Sequence, residues 1–205
     1  MNYNYHKLCL EEISTFKTTQ KILLHSCCAP CSSYVILFLT NYFDITILYY
    51  NPNIYPQTEY QKRKEEQIKL IKTLNTKNKL TYLDCDYDNN IYNQSIIGYE
   101  NCKEGGLRCH ICFKLRLEKT AILAKNNNFD YFCSTLTVSP HKNSHIINEI
   151  GQTLSDKYNI KWLPSDFKKN EGFKQSIELS KKYNLYRQDY CGCIYSQEER
   201  KKQEK

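Results

Sequence analysis

Apolar positions follow two rhythms along this chain. Short runs of β-branched and aromatic residues, Lys21 to Ser26 (KILLHS), Asp44 to Tyr50 (DITILYY), Lys79 to Asp84 (KLTYLD) and Phe129 to Ser134 (FDYFCS), have the length and make-up of buried strands. A weaker run, Ile160 to Leu163, stops at Pro164. Between the runs, apolar residues recur at three- and four-residue spacing. Gln57 to Leu74 carries Ile68, Ile71 and Leu74 on one side, with Lys and Glu on the other. Cys109 to Lys125 aligns Phe113, Leu117, Ala121 and Ala124. Further helices are expected over Asn143 to Tyr158, over Gly172 to Tyr183 and within residues 1–20. Strand and helix in alternation predict an α/β fold, a parallel sheet with helices on both faces. In such sheets ligands bind beyond the carboxyl ends of the strands, so the residues just after each strand are where chemistry is expected.

After the first strand the chain reads HSCCAPC, residues 25–31. A nucleotide-binding domain of this layout would place a glycine-rich phosphate loop there; this chain places three thiols and no glycine. Pro30 suits the first turn of a following helix. Thiols at a helix N-terminus feel the positive end of its dipole, which favours the thiolate that binds metal or attacks. A second group, GGLRCHIC, spans residues 105–112. If Cys109 opens a helix, Cys112 returns to within about 60° of it, and both sulfurs share one face. Cys31 and Cys109 lie much further apart than the roughly 12–20 residues between the pairs of a local zinc module. Any site joining them is therefore closed by the whole fold. Cys27, Cys28, Cys109 and Cys112 supply the four thiolates that a 4Fe–4S cluster requires, and structural zinc is the competing occupant.

The third group is Gln188-Asp189-Tyr190-Cys191-Gly192-Cys193. A Cys-X-Cys pair closes a disulfide only in a cramped ring, and Gly192 permits the tight backbone. A strained, exposed bridge behaves as a labile redox couple. Cys191 and Cys193 are thus expected to act as a dithiol/disulfide switch. Cys9, Cys85, Cys102 and Cys133 stand alone and are expected to pack as small hydrophobes.

Composition narrows the setting. Eleven cysteines in 205 residues fall below the roughly 8–10% of a disulfide scaffold. The first twenty residues lack the apolar core of a signal peptide, and Tyr34 to Leu39 is far shorter than the roughly twenty residues that span a bilayer. A cytoplasmic location without membrane attachment is expected. In that reducing compartment, grouped cysteines bind metal or carry out redox chemistry. The net charge of +7, from 29 basic and 22 acidic residues, favours a polyanionic partner, although much of it lies on lysine-rich helix faces. Two of the arginines, Arg108 and Arg187, stand within four residues of a cysteine pair, where planar bidentate donors serve a site. The chain is expected to form a single domain over residues 1–205, with a leading helix in 1–20, a catalytic α/β core over 21–196 and a charged tail over 197–205.

Taken together, HSCCAPC, YNPNIYP, GGLRCHICFKLRLEKTA, STLTVSPHKN and YRQDYCGC, in this order from about Lys21 to Ser196, resemble the epoxyqueuosine reductases of the QueH type. The resemblance implies a Rossmann-like fold of the adenine nucleotide α-hydrolase (HUP) kind and an oxidoreductase that needs neither cobalamin nor ATP. It also implies the reaction, which is the last step of queuosine synthesis. Two electrons remove the epoxide oxygen of epoxyqueuosine at the wobble position of a tRNA, leaving a cyclopentene ring and water, and an external low-potential donor supplies the electrons.

Carried over residue by residue, Cys27, Cys28, Cys109 and Cys112 resemble the cluster ligands and Cys191 and Cys193 the redox-active pair. Cys31 either completes a second, mononuclear iron site with Cys191 and Cys193 or packs. His141, His25 and Tyr190 are candidate proton donors. Tyr55, Arg108, Thr135, Thr137, Lys142, Lys168 and Arg187 are candidate contacts to the tRNA. One departure is Asp189, where the family pattern has Asn; it adds a carboxylate beside the pair. Two other readings are a tRNA thiolase, which needs a glycine-rich SGGxDS-type loop where HSCCAPC stands, and a non-enzymatic metal- or cluster-binding tRNA-binding protein or redox sensor.

Overall fold

The computed structural model describes residues 3–203. Five strands, β1 (Gln20–His25), β2 (Phe43–Leu48), β3 (Leu80–Leu83), β4 (Tyr131–Ser134) and β5 (Lys161–Trp162), form one sheet in the order β3-β2-β1-β4-β5. Every neighbouring pair is parallel. All five apolar runs are therefore strands. Ile22, Leu23 and Leu24 of the central strand are completely enclosed, because both faces of a parallel sheet are covered. That is why these strands read as continuous apolar runs, without alternation.

The helices are α1 (Tyr5–Ser14), α2 (Ala29–Leu39), α3 (Gln57–Thr73), α4 (Asn89–Ser95), α5 (Leu107–Asn126), α6 (Ser144–Tyr158), α7 (Gly172–Lys182) and α8 (Ile194–Gln203). Helix α2 packs with α3 and α7, and α5 packs with α6. From β1 the chain first steps outward through β2 to β3, then crosses to β4 and β5. Right-handed crossovers running in opposite directions put the two helix groups on opposite faces of the sheet. This is the Rossmann-like α/β arrangement expected, a parallel sheet with helices on both faces. Helix α6 closes tightly on β5 because residue 151 is glycine: a Cβ there would sit 2.3 Å from the Trp162 indole. Among the described residues no helix is long and apolar enough to cross a membrane.

Three local features depart from expectation. Helix α5 starts at Leu107, two residues earlier than its apolar period suggests, with Gly106 as its N-cap. Helix α4 (NNIYNQS) is too polar and short to carry a period. The stretch read as a charged tail from residue 197 is helical through Gln203, with Ser196 buried and Glu199 paired to Arg108 at 3.2 Å; residues 204–205 of that tail lie outside the described residues. Cys9 and Cys133 pack in the main core as expected, whereas Cys85 and Cys102 are only half-buried.

Register decides where a site forms. His25 is level with Leu48 on one side and with Ser134 on the other, so β1, β2 and β4 end together. The loops that follow them open side by side at the strand-order reversal, where α/β sheets bind ligands.

Candidate active site

The turn after β1 gathers the first thiol group. Cys28 is extended (φ −172°, ψ 159°) and caps α2, and Pro30 occupies its first turn. The chain passes from strand to helix within three residues, so the sulfurs of Cys27, Cys28 and Cys31 lie within 4.8 Å of one another. Neighbouring elements brace the turn. Asn51 Nδ2 donates to the Ser26 carbonyl (2.9 Å), and the Ser26 and Ser32 hydroxyls both donate to Gln67 Oε1 (2.6 and 2.9 Å). The Cys27 N–H donates to Thr135 Oγ1 at 3.3 Å.

Cys28 and Cys31 hydrogen-bond to Cys27, which holds the Cys27 thiol well below its ordinary range while Cys28 is pushed up to about 12 and Cys31 is raised. The Cys27 to Cys28 sulfur distance is 3.9 Å. A tetrahedral ion with metal–sulfur bonds of about 2.3 Å needs sulfurs about 3.8 Å apart. This donor set suits a thiophilic metal.

The second thiol group is assembled from distant segments. Cys109 and Cys112 lie on α5, where the Gly105 N–H donates to Cys109 Sγ at 3.2 Å. Cys112 shares a small apolar cluster with Cys193, Tyr92 and Ile96, and burial pushes its thiol up to about 12. The Cys191 to Cys193 loop is clamped from the β2 side. Arg63, 1% exposed, donates through Nη1 to the Cys191 carbonyl (3.2 Å) and through Nε to Glu59 (2.6 Å). The Tyr55 N–H donates to the Gly192 carbonyl at 2.9 Å. Gly192 has φ +128°, and a Cβ there would lie 2.9 Å from Ile54 Cγ1. Both counts demand glycine. Cys191 and Cys193 are separate thiols in this structure.

The first group and Cys191 meet at a cavity of about 530 Å³; Cys109, Cys112 and Cys193 are not among its lining residues, and the only thiols close enough together to share an ion among the described residues are Cys27, Cys28 and Cys31. Cys27, Cys28, Cys31 and Cys191 line it, with His141, Lys142, Arg187 and Tyr190 among its other walls. Cys193 turns away toward Tyr92 and Ser196, whose N–H donates to its sulfur at 3.4 Å.

A family model described as epoxyqueuosine reductase QueH matches residues 22–199. The chain belongs to the epoxyqueuosine reductase QueH family. Members similar to it include epoxyqueuosine reductase QueH of Streptococcus pyogenes serotype M1, 47% identical over 85% of this chain and 69% of that one. The Staphylococcus epidermidis member is 44% identical over 94% and 84% of the two chains. That of Thermotoga maritima is 34% identical over 88% and 92%. A solved structure of a predicted subunit of tRNA methyltransferase from Methanocaldococcus jannaschii superposes with a TM-score of 0.51 at 16% identity, over 79% of this chain and 74% of that one. That likeness shows the fold. As a QueH-family protein the chain is an oxidoreductase.

Within this QueH-family site, several residues expected to act on substrate prove to be framework. His25 is fully enclosed, and burial holds its imidazole down to about 3. Neutral at ordinary pH, it donates from Nε2 to the Tyr50 carbonyl (3.1 Å) and accepts the Ser134 hydroxyl at Nδ1 (2.9 Å), so it joins strand ends and has no proton to offer a ligand. Thr137 is enclosed and bonded to Ser165 Oγ at 3.1 Å. Thr135 is likewise enclosed and serves Cys27. Arg108, 2% exposed, donates to the carbonyls of Glu100 and Cys102 and to Glu199; it ties the loop before α5 to α8. Lys168 pairs with Asp166 at 2.6 Å and is not among the cavity-lining residues.

Tyr55 stays 44% exposed beside the Cys191 loop. Lys142, His141, Arg187 and Tyr190 do line the cavity. The unusual Asp189 is exposed, faces Arg200 at 3.8 Å and lines the same cavity as Cys191.

The sequence reading overlooked Asn51, Arg63, Gln67 and Arg116, all buried beside the thiols. Asn51 and Arg116 lie inside quoted motifs, YNPNIYP and LRLEK, so position relative to the cysteines was an available signal. Arg63 and Gln67 sit on a helix of Lys, Glu and Gln with nothing to mark which polar residues face inward.

Proposed function

We propose that this chain reduces epoxyqueuosine to queuosine at the wobble position of tRNA, the last step of queuosine synthesis, with an iron–sulfur centre as cofactor. Family membership carries the substrate. The observation that carries the chemistry is the meeting of the Cys27, Cys28 and Cys31 thiols with Cys191 at one cavity beyond the carboxyl ends of the strands. Cys27, Cys28, Cys109 and Cys112 would hold the cluster, which supplies low-potential electrons when bound. The sulfur of Cys31 lies with those of Cys27 and Cys28, so it would serve the same metal region, and a further mononuclear iron shared with Cys191 and Cys193 belongs to the same reading.

The reaction breaks both C–O bonds of the epoxide, forms a C=C bond and releases the oxygen as water, consuming two electrons and two protons. Oxidation of the Cys191–Cys193 dithiol to a disulfide releases that number of each. Cys191 is the member of the pair that faces the cavity, and Cys193, which packs toward Tyr92 and Ser196, would turn to resolve it. An external low-potential reductant returns the pair to the dithiol.

His141 and Tyr190 are the candidate acids on the cavity wall. Burial raises the Tyr190 phenol above its ordinary value, so it carries its proton at neutral pH. Lys142 and Arg187 on the same wall suit phosphate or ribose oxygens, and Tyr55 offers an exposed ring for base stacking.

Mass spectrometry of tRNA nucleosides from a deletion strain tests the reaction. Accumulated epoxyqueuosine, reversed by the intact gene, is expected; unchanged queuosine would overturn it. Anaerobically purified protein is expected to be brown with about four iron per chain. Stoichiometric zinc without iron would overturn the cluster. A pure protein that binds metal and modified tRNA without turnover would favour the sensor reading.

A further inference from the structure

Three arginines are almost completely enclosed: Arg63, Arg108 and Arg116. Two of them have an acid. Arg63 faces Glu59 at 2.6 Å and Arg108 faces Glu199 at 3.2 Å. Among the described residues, Arg116 pairs with no carboxylate, although it is 1% exposed. Its Nε donates to the Cys112 carbonyl (3.2 Å), its Nη1 to Asn51 Oδ1 (3.4 Å), and its Nη2 is buried with no partner. An ionised group taken from water without a counter-ion is costly, and arginine cannot shed its proton to avoid that cost. The fold therefore keeps a fixed positive charge under the site with no protein anion of the usual kind beside it.

The anion-forming groups whose charge reaches it are thiols. Cys112, Cys191, Cys27 and Cys109 all act electrostatically on its charge. The hydrogen-bond path also continues, because Asn51 donates through Nδ2 to the Ser26 carbonyl at 2.9 Å. An unbroken chain thus runs from the Cys112 carbonyl through Arg116 and Asn51 to the residue that precedes Cys27. It joins the α5 thiols to the turn after β1 across the sheet.

We infer that Arg116 is the positioning residue of the thiol site: its missing counter-ion is the thiolate-held metal centre, and through Asn51 it keeps the two cysteine groups in register. This rests on the reading that these thiols hold a metal. The free chain would carry an unbalanced buried cation, and metal loading would balance it. Thiolates bound to metal keep their negative charge, so the guanidinium would favour both the loaded state and the more reduced one.

The test compares wild type, Arg116→Met and Arg116→Lys as full-length chains, each metal-free and iron-reconstituted. Metal-free Arg116→Met is expected to melt at or above metal-free wild type, since removing an unpaired buried charge relieves its desolvation. After reconstitution it is expected to lose iron to a chelator roughly ten- to hundredfold faster, with a more negative midpoint potential. Arg116→Lys keeps the charge and is expected to stay near the wild-type potential. The inference is overturned if metal-free Arg116→Met is unfolded or melts well below wild type, which marks an ordinary packing role. It is equally overturned if the reconstituted variant matches wild type in iron release and potential. Wild type that binds no iron would overturn the metal reading itself, a result distinct from either.

Discussion

The two cysteine groups are built in opposite ways. Cys27, Cys28 and Cys31 come from one turn of chain, and their sulfurs converge because a strand gives way to a helix within three residues. Cys109, Cys112, Cys191 and Cys193 come from a helix and a loop far apart in sequence, and they come together where contacts from α3, the loop after β2 and α5 hold the loop and its flanks in place. Arg63 grips the Cys191 carbonyl, the Tyr55 N–H grips Gly192, and Arg108 fastens the approach to α5 onto α8. A local site tolerates loss of its supports; a tertiary site does not.

This contrast can be broken at graded levels. The largest expected effect is Cys191→Ala, which should lower single-turnover reduction by at least about a thousandfold while bound iron, measured by elemental analysis, stays near wild type. Loss of all four cluster irons in this variant would make Cys191 a cluster ligand, which the proposed ligand set excludes. Next is Gly192→Ala. A residue with a Cβ at φ +128°, pressed against Ile54, should destabilise the protein by about 1–3 kcal/mol in denaturant titration, and alkylation of Cys191 should change rate. A silent substitution would show that the loop is looser than its contacts imply. Arg63→Met removes the donor to the Cys191 carbonyl and leaves Glu59 buried without its cation, for an expected loss of about 1–3 kcal/mol and a lower turnover with iron unchanged. Thr135→Val, which removes one acceptor from the Cys27 N–H, should be smallest, at about 1 kcal/mol with iron content retained. If Thr135→Val strips iron as completely as Cys27→Ser does, the first group is not local.

The parallel sheet and the position of every strand were legible because buried parallel strands announce themselves as β-branched and aromatic runs between amphipathic helices; the strand order was not. The site was legible only in part. Cysteines could be grouped by spacing, since sulfur has few reasons to cluster. Residues that reach a site from outside a motif left no such trace. Arg63 and Gln67 look like the solvated positions of a charged helix, yet face inward. Arg108 and Thr137 failed in the reverse sense: each lies in a motif and beside the chemistry, but its polar atoms are spent on framework partners. A sequence shows which residue types stand near a thiol and not whether their hydrogen bonds are already taken. Burial makes that decision, and it depends on α4 and α8, whose short polar stretches carry no apolar period.

The order of the strands has a consequence for how such a site comes into being during synthesis. The turn after β1 that bears Cys27, Cys28 and Cys31 emerges from the ribosome early, and Cys109 and Cys112 follow before β4. The loop bearing Cys191 and Cys193 appears only after β5 and α7, when every strand is already available to pair. Domains fold from the N-terminal side as they are made, so the earlier thiols and the Cys191–Cys193 loop are separated in time as well as in sequence. A nascent chain would hold thiols able to capture metal well before it held the pair able to spend electrons.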